Sequence, residues 1–410
     1  MTLKYKNPIK IKPFVTFLTI ALLPLLTINM NAQDKTKSKF GKGIQVVAED
    51  SSFAMKFSTR FQSLYVGEYD YDSKEYNDGF LIRRARLKFD GFVYDPSIVY
   101  KIELGISNRD HGGGNIAEAG YSPRIILDAV IKWNFHKNWT VWFGQTKLPG
   151  NRERVVSSQK LQFVDRSLVN SRYNIDRDIG IQLRHKNKIG AKGVMKQIFS
   201  ISVGEGRDII VPNIGGYDYT ARLEYLPFGE FASKGDYFSS DLSREKTPKL
   251  AIGASYDLNK GASRQRGQLG RFMINGDGSI VTNDLSTVFV DAMFKYKGFS
   301  FLGEYANKVA AENKVAIKED LSTIKYLTGD GLNLQAGYLF KNNFEIAGRY
   351  TTVAPDDLDF SGVGEEKQYT LGFSKYIVGH SLKVQSDIIY ADRFSNSNKL
   401  YYRFQVEVAF

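Results

Sequence analysis

The chain has 410 residues, no cysteine and a formal charge of +12, with 42% hydrophobic and 13% aromatic residues. The missing cysteine excludes a disulfide scaffold, a thiolate metal site and a lipid-modified cysteine anchor. Four of the positive charges belong to the extreme N-terminus, and the rest carry no nucleic-acid motif, so the basic balance points to anionic solutes or lipid and no nucleic acid.

Lys4, Lys6, Lys10 and Lys12 precede an apolar run of 15 residues, Phe14 to Ile28, and Asn31-Ala32-Gln33 turns polar. This is the layout of a cleaved export signal over residues 1–32, because the run falls short of the roughly 20 apolar residues a spanning helix needs. No second segment could cross a bilayer as a helix. Residues 33–52 read as a short N-terminal periplasmic segment and 53–410 as one domain.

From Phe53 the pattern has a period of two, the signature of strands with one apolar face. Met55, Phe57, Thr59 and Phe61 alternate with Lys56, Ser58, Arg60 and Gln62. Ala85, Leu87, Phe89 and Val93 alternate with Arg84, Arg86, Lys88 and Asp90. Tyr100, Ile102, Leu104 and Ile106 alternate with Lys101, Glu103, Gly105 and Ser107. Further strands are expected near 124–135, 139–147, 178–187, 197–205, 217–226, 248–258, 286–297, 299–309, 332–340, 343–352, 367–377, 381–391 and 400–410. In the last of these Tyr402, Phe404, Val406, Val408 and Phe410 form a wholly apolar face, opposite Arg403 and Glu407.

The connections alternate too. Asp95-Pro96-Ser97, His136-Lys137-Asn138, Lys297-Gly298, Lys341-Asn342 and Val378-Gly379-His380 read as tight turns. Between them lie longer polar stretches at 70–79, 108–123, 148–177, 259–285, 310–331, 353–366 and 392–399. One connection breaks the rule: 227–247 falls at a short-turn position and is long. The fold expected is all-β, a transmembrane antiparallel β-barrel of about 16 strands with long external loops. Its last strand should pair with 53–67, because a ring leaves no unpaired edge in lipid. A lumen of that size holds water, which lets charged residues line it.

Gly144-Gln145-Thr146-Lys147-Leu148-Pro149, Ser157-Ser158 and Phe163-Val164-Asp165-Arg166-Ser167 resemble the phosphate-selective porin O and P family, in which a strand ends in Gly-Gln-x-Lys-x-Pro and enters the third external loop. Arg83 to Leu87, Asp178 to Leu183, Tyr225 to Glu230 and the terminal Phe410 agree with it, as does the long 227–247 turn. The resemblance implies a sixteen-stranded homotrimeric porin of the bacterial outer membrane. Its infolded third loop carries basic residues that draw anions to a constriction. A terminal aromatic such as Phe410 is similar to the tag read by the outer-membrane assembly machinery.

The charges point the same way. The inward phase of the first two strands has Lys56, Arg60, Arg84, Arg86 and Lys88 against Asp90. Segment 147–177 has Lys147, Arg152, Arg154, Lys160, Arg166, Arg172 and Arg177 against Glu153, Asp165 and Asp176. Rings of Arg and Lys favour anions in pores, and guanidinium forks suit phosphate. The expected anion path therefore comprises Lys56, Arg60, Arg84, Arg86, Lys88, Lys147, Arg152, Arg154 and Arg166, with the hydroxyls of Ser157 and Ser158 as further donors beside Lys147. Asp165 and Glu153 could each neutralise a neighbouring arginine. Arg222 beside Glu224, Arg349 near Glu345 and Arg403 near Glu407 read as balanced pairs.

Other motifs carry no chemistry. His111 to Asn115, HGGGN, resembles an esterase oxyanion stretch, but the partner Gly-x-Ser-x-Gly is absent. His111, His136, His185 and His380 have no metal-binding spacing. Asn275 to Ser279, NGDGS, lacks the closing glutamate of a calcium loop and reads as a turn. Neither a cofactor nor an enzymatic activity is expected. The rival readings are a general or organic-solute porin, and a surface adhesin or structural barrel with a plugged lumen.

Overall fold

A computed structural model describes residues 39–111, 124–357 and 364–410. The expected export signal and Gly112 to Asn115 lie outside the described residues. Among those residues, no helix is long and apolar enough to cross a membrane.

Sixteen strands close into an antiparallel ring. They are β1 (Phe53–Asp70), β2 (Tyr76–Val93), β3 (Asp95–Gly105), β4 (Ile126–His136), β5 (Trp139–Lys147), β6 (Arg177–Ile189), β7 (Gly193–Ser202) and β8 (Asp218–Leu226). The ring continues with β9 (Lys249–Ala262), β10 (Asn283–Tyr296), β11 (Phe299–Ala310), β12 (Gly329–Leu339), β13 (Phe344–Pro355), β14 (Glu366–Val378), β15 (Leu382–Arg393) and β16 (Lys399–Ala409). Each pairs with its sequence neighbours, and β16 returns to β1 in a register running from Lys399↔Asp70 to Ala409↔Arg60. Below that register Thr59 and Phe410 exchange two backbone hydrogen bonds, of 2.8 and 3.0 Å.

Alternation places the side chains as the pattern requires. Tyr402, Phe404 and Phe410 stand 40–51% exposed on the outer face, while Gln405 and Glu407 on the inner face are 0–1% exposed. The outer surface of such a ring meets hydrocarbon, where every backbone group must already be paired, and the antiparallel ladder does this. The tight turns use residues that tolerate positive φ, among them Gly190, Gly298, Gly379 and Asn343.

Several boundaries differ from the expectation. Asp95-Pro96-Ser97 is not the turn: these residues open β3, and Tyr94, at φ 68°, reverses the chain alone. β1 and β2 are longer than the alternation suggested, because their outer ends continue into polar and tyrosine-rich sequence above the apolar band. Ile44–Val47 also forms a short strand on β1, pairing Ile44 with Phe57 and Val47 with Ala54. The external connection after β11 carries a small hairpin, Val315–Ile317 with Thr323–Lys325.

One irregularity positions the site. Gln62 pairs with Arg84 but Ser63 pairs with Ile82, so Arg83 is the extra residue of a β-bulge. A bulge re-aims the side chain it adds. Here both Arg83 and Arg84 reach inward to one carboxylate, Asp165.

Candidate channel and its basic lining

Segment 148–176 turns into the ring and crosses it. Asn151 amide donates to Glu304 on β11 at 2.8 Å, Gln162 amide to Glu345 on β13 at 2.7 Å, and the Val164 N–H to Asp387 on β15 at 3.1 Å. Its apolar residues Leu148, Leu168, Val169, Tyr173 and Ile175 pack with Phe289, Ala306 and Val353 from the inner wall. Each such side chain taken from water contributes about 1.5–3 kcal/mol. Two short helices, Arg152–Val155 and Leu168–Tyr173, shape the loop, the second capped by the Ser167 hydroxyl on the Asn170 N–H at 3.3 Å.

The connection 227–248 folds in from the opposite end. The Lys295 ammonium holds it through the carbonyls of Gly235, Phe238 and Ser240 at 2.7–2.8 Å. Lys196 pairs with Asp236 at 2.5 Å. The two insertions touch: the Ser239 N–H donates to the Lys160 carbonyl at 3.0 Å, and Arg152 donates to the Asp236 carbonyl at 3.2 Å.

A cavity of about 1040 Å³ remains, lined by eleven arginines and two lysines against three aspartates. Arg83, Arg84, Arg86, Arg154, Arg166 and Arg177 line it from β2, β6 and the infolded loop. Arg124, Arg207, Arg264, Arg266 and Arg271 come from external connections. Some of these charges are compensated: Arg86 bridges Glu103 and Asp110 at 3.0 and 2.8 Å, and Arg154 bridges Asp176. Others are held by neutral acceptors. Arg166 donates to the carbonyls of Glu153 and Val156 at 2.8 and 2.6 Å, Arg207 to that of Asp110 at 2.6 Å, and Arg124 to that of Arg207 at 2.8 Å. None of these three has a carboxylate within salt-bridge distance among the described residues. A carbonyl fixes the fork without cancelling its charge. Burial, followed by the neighbouring guanidiniums, lowers Arg166 and Arg207 to about 10.

The expected site residues thus divide. Arg84, Arg86, Arg154 and Arg166 line the cavity. Arg152 does not: it is 0% exposed and held by Asp291 at 2.5 Å and Glu224 at 3.3 Å. Lys147 turns to the carbonyl of Arg154 at 2.7 Å, where it stabilises the end of the short helix. Ser157 and Ser158 do not stand beside Lys147 as donors. Ser157 caps the Gln159 N–H, and Ser158 accepts from Arg60 at 2.6 Å. Arg60 also bridges Glu407 at 3.1 Å. Lys88 bridges Asp90 at 2.6 Å. Lys56, Lys88 and Lys234 lie close enough to Lys160 that burial and then these three charges push its ammonium down to about 8.

Of the three balanced pairs, one forms as expected. Arg222 does bridge Glu224, at 2.8 Å, but Arg349 faces Glu153 at 3.8 Å and Arg403 binds Asp387 at 2.6 Å. Glu345 instead accepts from Gln162 and Tyr376. Asp165 is shared by Arg83, Arg84 and Arg403. Burial alone would raise its carboxyl, but the guanidiniums outweigh it and hold the group well below the usual carboxylate range. A further inward group went unremarked in the sequence: Trp142 on β5, with Lys132 at 3.9 Å and Arg184 at 3.7 Å from its ring centre. The Asn275–Ser279 stretch is a turn, closed by the Asn275 N–H on the Ser279 carbonyl.

A closed sixteen-strand ring with an infolded loop and an internal cavity of about 1040 Å³ is a porin architecture. Residues 55–402 match the family described as phosphate-selective porin O and P. The chain belongs to this family. A protein of Aquifex aeolicus (strain VF5) described as uncharacterized is 24% identical over 373 residues, covering 85% of this chain and 84% of its own. Among solved structures, the Salmonella typhi OmpF complex with daunomycin matches with a TM-score of 0.56 at 13% identity, over 90% of this chain and 100% of its own. The anion-selective porin from Comamonas acidovorans matches with a TM-score of 0.51 at 10% identity, over 87% and 100%. At these identities the likeness speaks for the fold alone. As a member of this family the porin is an outer-membrane channel protein.

Proposed function

We propose that this porin passes small anions by passive diffusion and that phosphate or a related oxyanion is its preferred solute. The observation that carries the reading is the cavity with eleven arginines, two lysines and three aspartates. Arg166, Arg207 and Arg124 present charge there that is held by carbonyls, with no carboxylate within salt-bridge distance among the described residues, and such charge attracts anions and repels cations. Several moderate sites in series suit permeation, because an ion must leave as readily as it enters. The family, described as phosphate-selective, supports the same direction.

The test is conductance in a planar bilayer. Purified protein opens water-filled channels whose reversal potential in a potassium chloride gradient favours chloride, and submillimolar phosphate reduces the chloride current. Unreduced current makes it a general or organic-solute porin. Closed barrels leave the adhesin or structural reading. We further propose export through a signal peptide cleaved after residue 32, insertion by the outer-membrane assembly machinery and assembly as a homotrimer. N-terminal sequencing and the mass of the detergent-solubilised particle check the cleavage and the assembly.

A further inference from the structure

The infolded loop carries an anion of its own into the basic lining. The Asp165 carboxylate takes a two-pronged contact from Arg83, Nε to Oδ2 at 3.0 Å and Nη2 to Oδ1 at 2.9 Å. Arg84 donates to Oδ1 at 2.8 Å, and Arg403 of β16 stands 3.6 Å from Oδ2. Arg403 has a second carboxylate in Asp387. Among the described residues, Asp165 is the only carboxylate within salt-bridge distance of Arg83 or Arg84. Both arginines line the cavity, and the Arg83 and Asp165 side chains are each 20% exposed, so a solute in the lumen reaches the cluster.

A guanidinium fork fits the oxygens of a carboxylate and of a phosphate in the same way. Three forks gathered on one carboxylate therefore form a place that a free oxyanion would also suit. The loop has other attachments here. The Val164 N–H donates to Asp387 at 3.1 Å, and the Asp165 carbonyl accepts from Arg349 of β13 at 2.9 Å. The backbone on both sides of the side chain is thus held by contacts that do not involve its carboxylate.

We propose that the Asp165 carboxylate fills an oxyanion site made by Arg83, Arg84 and Arg403, and thereby sets how tightly a permeating oxyanion is held. The side chain competes with the solute for the same forks. A passing anion must share them with a fixed negative charge, so it is held weakly and leaves. Without that charge Arg83 and Arg84 would turn their forks to the solute and retain it, which slows permeation. The inference rests on the anion-permeation reading above and names the residue that tunes it.

Asp165→Ala removes the carboxylate and leaves room for a free oxyanion. In a planar bilayer, the inorganic phosphate concentration that halves the chloride current falls roughly ten-fold, about what one charge-assisted hydrogen bond to the solute contributes. Asp165→Glu, which keeps the charge, stays near the wild-type concentration. Binding is also read without conduction: in detergent, phosphate raises the melting temperature of Asp165→Ala by more than that of the wild type. If Asp165→Ala does not assemble, Asp165→Asn, which keeps the shape and loses the charge, is read in the same way. A half-blocking concentration and a melting shift that are unchanged or weaker in the variant overturn the proposal, because the carboxylate then only anchors the loop. A wild-type channel without anion preference overturns the permeation reading, whereas the melting shift still decides the site.

Discussion

The N–H of Ser239 donates to the carbonyl oxygen of Lys160 at 3.0 Å, joining two insertions that enter the ring from opposite ends. Together they fill the lumen against β8 to β15 and leave the open path beside the arginines of β2 and β6. If 227–248 constrains that path, replacing Ala232 to Asp241 with a short glycine linker widens it. The expected single-channel conductance rises roughly two-fold, because conductance follows the open cross-section of the ring. Unchanged conductance would mean that the infolded turn lies outside the permeation path.

Arg152 and Arg166 sit in one loop and answer differently to mutation. Arg152→Ala takes one of the two guanidiniums from the buried Asp291 and Glu224, which keep Arg222 at 2.8 Å each. The lost charge-assisted contacts cost about 1.5–3 kcal/mol, which shows as a lower melting temperature. Arg166→Gln removes a cavity-lining charge that has no direct ion pair among the described residues, so chloride preference falls by more than it does in Arg152→Ala. Reversal potentials and melting curves on both variants separate the two roles.

The pH dependence follows from Lys160. Its proton leaves near pH 8 in the folded protein against an ordinary value of 10.5. Anion preference therefore declines between pH 7 and about pH 9, and Lys160→Gln flattens that part of the profile. For stability the sign is opposite. Between about pH 8 and pH 10 the unfolded chain keeps a proton that the folded lysine has released, so this group's contribution to stability rises with pH.

Trp142 holds Lys132 and Arg184 on its two faces, since both cations lie too near the ring centre to share one. Each contact is worth about 0.5–2 kcal/mol. Trp142→Leu frees both side chains, and the expected outcome is a smaller chloride preference together with a melting temperature lowered by a few degrees. Trp142→Phe, which keeps an aromatic face, restores most of it.

Strand order, the inner and outer faces and the ring closure at β16 were legible because alternation is a local property, repeated in every strand. The entry of 148–176 into the lumen was legible only through family resemblance. Its apolar residues carry no period, and their partners Phe289, Ala306 and Val353 are spread over three distant strands. Arg124, Arg207, Arg264, Arg266 and Arg271 were missed for the same reason: each lies in a connection whose path is set by tertiary packing. The burial of Arg152 had no signal in its own neighbourhood, because Asp291 and Glu224 lie 139 and 72 positions onward. The bulge did leave a trace, two adjacent arginines where alternation allows one.

That bulge gives the porin a way to change its charge by counting. Deleting Arg83 alone would return β2 to strict alternation, with Ile82 outward, Arg84 inward and the pairs Gln62↔Arg84 and Ser63↔Ile82 kept. One guanidinium would be gone from Asp165, yet no residue on either flank would change face. Insertion and deletion, ordinarily ruinous in a strand, become at this position a gentle means of tuning the lumen.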